Sequence, residues 1–139
     1  MVGIESGLVA ASAGVTLLLG LIHLLYTFRG RKLHPRDPDL YVRLTEVSPV
    51  LTRETTMWKA WVGFNASHGF GAILFGLVYG YLALAYSTVL FESAFLQCVG
   101  LLLLAGYAVL GKLYWFSVPF RAILLSAALY FAALVLVRI

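Results

Sequence analysis

The sequence predicts an all-α integral membrane protein: four transmembrane helices in an antiparallel bundle, with a short interfacial helix between helices 1 and 2. Two observations carry that prediction. The chain is 62% hydrophobic and 12% charged over 139 residues, whereas a soluble domain is nearer half apolar and about a quarter charged. Its apolar residues also fall into four runs of about the 20 residues that a helix needs to cross a hydrocarbon layer of roughly 30 Å. The spans are read as 7–28, 58–84, 89–111 and 119–137, within a single membrane domain, 1–139.

The first run, following a start that carries Glu5 and no basic residue, is longer than a signal-peptide core and is read as a retained span. Ser12, Thr16, Gly20, His23 and Thr27 recur every three or four residues along it, which stacks them on one face. That face is expected to point into the bundle, with leucines toward lipid.

The connection 29–57 is the only long polar stretch. Asp37 followed by Pro38 has the form of a helix N-cap with proline in the first turn. Leu40, Leu44 and Val47 then line one side, as in a short helix lying on a membrane surface. Ser48 and Pro49 repeat the start signal, so the second helix is expected to begin before the membrane does, with Trp58 and Trp61 at headgroup depth.

The second span holds the densest set of polar and small residues. Trp61, Asn65, His68, Gly69, Ala72, Gly76 and Gly80 fall within an arc of roughly 120°. Gly20 and His23 are expected to meet Asn65, Gly69 and Ala72 in the tightest internal helix pair. Gly76 and Gly80 form a GxxxG pair, a motif of low specificity whose use is read as packing within the chain.

The third span is read as one helix from Val89 to Gly111, with Glu92 in its first turn at the positive end of the helix dipole. Gln97, Gly100, Ala108 and Gly111 share a face there. Tyr114, Trp115 and Phe116 suit an interface, and Pro119 permits the fourth helix to start. Cys98 is the sole cysteine, which excludes an internal disulfide and a CxxC redox pair.

Of the ten Lys and Arg residues, Arg29, Arg31, Lys32, Arg36, Arg43, Arg53, Lys59, Lys112 and Arg121 lie in or beside the first and third connections. Arg138 alone lies on the other side. By the positive-inside tendency both termini are extracytoplasmic. The same clustering points to membrane lipids as partners and not to nucleic acid, because anionic headgroups attract juxtamembrane basic residues.

His23 and His68 are the sharpest chemical feature, since polar residues inside hydrocarbon are costly. Two helices each offering a histidine could ligate a b-type haem. Counted at 1.5 Å per residue, however, His23 lies roughly 8 Å deep and His68 roughly 15 Å, with Asn65 at roughly 10 Å. That mismatch favours a structural bond between Asn65 and His23 over haem or a metal ion. A pocket for the polar head of a lipid, quinone or other lipophilic ligand at His23, Asn65 and His68 stays open as an alternative. Ser67 points away from that face, and no complete catalytic constellation is present. The sequence therefore reads as a non-catalytic component that packs with a larger membrane complex or other membrane protein subunits, with no cofactor.

The run from Ser48 to Trp58, containing Thr-Arg-Glu-Thr-Thr-Met-Trp, and its continuation from Trp61 to His68 resemble a family of small bacterial membrane proteins with four predicted spans and no assigned activity. His23, Tyr26 and Phe28, then Asp37-Pro38, resemble that family's first half. The resemblance extends to Leu84 and implies a bacterial inner-membrane location without implying a reaction.

Overall fold

In the computed structural model, which describes residues 3–138, the chain is all-helical with no strand among the described residues. Its elements are α1 (Ile4–Phe28), α2 (Pro38–Glu46), α3 (Met57–Ala85), α4 (Ser87–Glu92), α5 (Ala94–Tyr114) and α6 (Ser117–Leu136). The four long helices α1, α3, α5 and α6 are each long and apolar enough to cross a membrane, and they pack together.

Their side chains are distributed as lipid requires. Ser6, Ser12, Thr16, Gln97 and Ser126 are buried, while Leu18, Leu21, Leu25, Phe70, Leu74 and Leu102 are exposed. With no water in hydrocarbon to hydrogen-bond a polar group, such groups find partners inside the protein.

Packing resolves into two compact units, Met1–Leu19 with Ala72–Ile139, and Gly20–Gly71. In the first, α1 and α3 run antiparallel at close range. A Cβ added to Gly76 would fall 2.5 Å from Leu17 Cβ and 2.8 Å from the Ala13 carbonyl oxygen, and one added to Gly80 would touch Ala13 Cβ at 3.5 Å. α5 and α6 are likewise antiparallel, with Gly100 against Tyr130 and Gly111 against Phe120. Val9, Ala13, Phe75, Tyr79, Leu104 and Tyr130 form the centre of this unit. Three hydroxyls close it. Ser126 Oγ lies 2.8 Å from both Ser12 Oγ and Thr16 Oγ1 and 3.0 Å from the Ser12 carbonyl oxygen, to which it donates.

The second unit holds the end of α1, α2 and the start of α3. Gly69 abuts Leu24 and the Gly20 carbonyl, the latter 3.4 Å from where its Cβ would stand. Asp37 caps α2 by accepting from the amides of Asp39 and Leu40, with Pro38 as first residue. α2 buries none of its residues. The segment after it is not helical: Met57 N donates to the Val47 carbonyl at 2.8 Å, closing residues 48–56 into a loop. The helix start expected at Ser48 and Pro49 is therefore displaced to Met57, where Thr56 Oγ1 accepts from Lys59 N.

Two further boundaries differ from the sequence expectation. The span read as one helix over 89–111 is broken at Ser93, whose extended backbone (φ −88°, ψ 99°) ends α4 and caps α5, its hydroxyl accepting from Leu96 N. Glu92 thus closes α4 at the negative end of a helix dipole, instead of opening a helix at the positive end. α6 begins at Ser117, two residues before Pro119, which keeps the proline inside the first turn, where its missing N–H leaves no bond unmade.

Candidate functional site at the histidine pair

α1 ends at Phe28 and α3 begins at Met57, so His23 stands five residues from one helix end and His68 eleven from the other. Counting inward from those ends would separate the rings in depth. The structure brings them into contact instead, with ring centres 5.1 Å apart and planes at 79°, edge against face. The expected depth mismatch is corrected by an overshoot. α3 runs past the end of α1, so that Trp61 Nε1, in its second turn, donates to the Leu33 carbonyl beyond α1 at 3.2 Å. His68 is thereby set level with His23.

Asn65, one turn before His68, adjoins the His23 imidazole, and its amide nitrogen also donates to the Trp61 carbonyl at 2.8 Å. Thr27 Oγ1 donates to the His23 carbonyl at 2.8 Å. His23 Nε2 is buried with no hydrogen-bond partner among the described residues. Ser67 is exposed and donates to the Phe64 carbonyl at 2.9 Å, so its hydroxyl is engaged along its own helix and not toward the histidines.

Gly20 and Gly69 lie at the same helix crossing as the ring pair. Ala72, Gly76 and Gly80, placed on that face by their spacing, belong to the other compact unit. Ala72 there packs with Tyr107 and Ile123.

Next to the ring pair in sequence lies an aromatic cluster that periodicity does not announce. His34 stacks on Tyr41 at 4.8 Å and meets Trp58 at 4.6 Å, and Tyr41 meets Trp58 at 5.0 Å. Lys32 Nζ sits 5.5 Å from the centre of the Tyr26 ring. The ring contacts tie the 29–37 connection and α2 to the first turn of α3, and the Lys32 contact ties that connection back to the end of α1. Trp58 alone was legible, as an interfacial aromatic.

The arrangement does not suit a haem held from both faces. Imidazoles on opposite sides of a metal, each nitrogen about 2 Å from it, hold their ring centres roughly 6 Å or more apart with the porphyrin between them. Rings in edge-to-face contact at 5.1 Å leave no such gap. Among the described residues no three His, Cys, Asp or Glu side chains gather as a metal would need. What the site can offer is the His23 Nε2 and the Asn65 side chain, beside exposed Trp61 and Phe64, to a polar group entering from an apolar surround.

No protein-family model matches the chain, and no curated protein or solved structure matches it either.

Proposed function

We propose that this membrane protein acts by binding and not by catalysis, with His23, Asn65 and His68 receiving the polar head of a lipophilic molecule such as a quinone or a lipid. One observation carries the reading: among the described residues His23 Nε2 is buried without a hydrogen-bond partner, in a cluster that combines two imidazoles and an amide. A buried polar atom without a partner costs about 1–3 kcal/mol, and a ligand hydroxyl or carbonyl would offset that cost. The location that accompanies this reading is a bacterial inner membrane with both termini extracytoplasmic. It is supported by the basic residues gathered beside the first and third connections and by the likeness of the 48–68 stretch to uncharacterised four-span bacterial proteins.

The test is solvent extraction and mass spectrometry of protein purified in mild detergent from its native membrane, with a visible spectrum recorded first. The expected sample is colourless and carries one recurrent small molecule, which His23→Met releases. Without ligand, His23→Met removes the unpaired Nε2 but also the imidazole that Asn65 adjoins, and these opposed effects should leave stability little changed. A Soret band lost in both His23→Ala and His68→Ala would establish haem in place of this reading, and a preparation with no recurrent molecule would sink it.

A second reading, an accessory subunit packing with a larger complex, is favoured by the outer face of α1. Gly7, Ala11 and Gly14 are exposed along one line, and a Cβ at either glycine would meet nothing within 4 Å. Small residues of that kind let another membrane helix approach closely. Co-purification with larger subunits in fixed stoichiometry, abolished by Gly14→Leu, would support it, and a monodisperse lone protein would count against it.

A further inference from the structure

A groove of about 450 Å³ runs between α5 and α6, lined by Gln97, Cys98, Leu101, Phe131, Val135 and Arg138 among others. Its volume lies within the range of small-molecule sites, roughly 300–1,000 Å³. It shares no residue with the histidine pair.

The groove is graded along its length. At its mouth Arg138 Nη2 donates to Gln97 Oε1 at 3.2 Å. Gln97 is only 6% exposed, and its amide nitrogen is fixed by the Phe91 carbonyl at 2.6 Å. A neutral amide therefore orients the guanidinium without cancelling its charge. Below it the walls become apolar. Leu101 is one turn beyond Gln97 on α5, and Val135 and Phe131 precede Arg138 by one and two turns, so the lining descends roughly 10 Å at 1.5 Å per residue.

A cation at the mouth with an apolar trough beneath it matches a molecule with an anionic head and a hydrocarbon tail. A free inorganic anion would find the guanidinium but leave the trough unfilled, and an uncharged lipid would fill the trough but forgo the charge. The N-terminus of α5, starting at Ala94 beside the same mouth, adds the positive end of a helix dipole. We infer that this groove is a binding site for one anionic phospholipid, its phosphate on Arg138 and the upper part of one acyl chain along Leu101, Phe131 and Val135.

Cys98 gives the test a built-in reporter, because it is the sole cysteine, is exposed and lines the groove. Its alkylation by a maleimide would be followed in the full chain in detergent micelles, with phosphatidylglycerol, phosphatidylcholine or inorganic phosphate added. Phosphatidylglycerol should protect Cys98 at about one-fifth the concentration that phosphatidylcholine requires, the ratio expected for one arginine beside an anionic head. Inorganic phosphate should not protect. Arg138→Gln, an exposed position in the turn after α6, should bring the two lipids level, whereas Arg138→Lys should keep most of the preference. In the unaltered chain, raising the salt concentration should shrink the preference, a check that needs no variant to fold. Equal protection by both lipids in the unaltered chain, a preference that survives Arg138→Gln, or protection by inorganic phosphate alone would each overturn the site.

Discussion

Gly76→Ala is the smallest substitution that should disturb the helix crossing measurably. The added methyl would fall 2.5 Å from Leu17 Cβ, 2.8 Å from the Ala13 carbonyl oxygen and 2.9 Å from Leu17 Cα. Carbon atoms rest at about 3.5–4.0 Å, so the helices must part by about 1 Å. Two of the three atoms are backbone, which no rotamer change can move aside. Overpacking of this kind costs about 1–3 kcal/mol, and rigid backbone neighbours place it near the upper end. Alanine's better helix propensity offsets about 1 kcal/mol, leaving a net loss of about 2 kcal/mol. At about 2–4 °C per kcal/mol for a chain of this order of size, the thermal midpoint in mild detergent should fall by about 4–8 °C. Two controls calibrate the value. Gly80→Ala places its methyl 3.5 Å from Ala13 Cβ, an ordinary contact, and Gly14→Ala meets nothing within 4 Å, so both should be neutral or slightly stabilising. A Gly76→Ala midpoint within about 1 °C of the Gly80→Ala one would refute the close approach, since the predicted difference is several times larger.

Ser126→Ala removes the hydroxyl shared by Ser12 and Thr16 and should cost about 0.6–1.7 kcal/mol, the range for interhelical bonds in membranes, measured as a loss in detergent unfolding. Trp61→Phe breaks the bond to the Leu33 carbonyl and should speed tryptic cleavage at Arg29, Arg31 and Lys32, with little change in the thermal midpoint because the bond is exposed. In a Cys98→Ser background, cysteines placed at Gly3 and Asp37 should be labelled from opposite sides of the membrane, Asp37 from the cytoplasm. Labelling of Gly3 from the cytoplasm would overturn the proposed orientation.

The four spans and the capped helix at Asp37-Pro38 were legible because each rests on local information: run length, composition, and a side chain bonding to amides two and three residues away. Small-residue spacing also marked Gly20 and Gly69, which meet. The break at Ser93 was not legible, because the residues from Val89 to Phe91 continue the apolar pattern and a lone serine is common inside membrane helices. Ring contact between His23 and His68 was hidden for another reason. It depends on how far α3 overshoots α1, which is set by the folded loop 48–56 and by a bond from Trp61 to a carbonyl 28 residues earlier. Depth counted along single helices carries no information about such an offset. Ser126 escaped notice because its partners, Ser12 and Thr16, are more than 100 residues away.

The elbow at Ser93 bears on how the backbone is closed where the chain bends. Ending α4 there frees carbonyl groups that an unbroken helix would have engaged. The Gln97 amide nitrogen takes two of them, donating to Phe91 O at 2.6 Å and, more weakly, to Leu90 O at 3.5 Å. Its partners lie six and seven residues earlier, so the closure is local to the bend and draws on nothing from α6. A bend whose carbonyls are taken up in this way leaves fewer open peptide groups at the end of a candidate span that starts at Ala94, and open peptide groups are what lipid rejects most strongly. The glutamine that holds Arg138 therefore also closes the backbone where the chain bends.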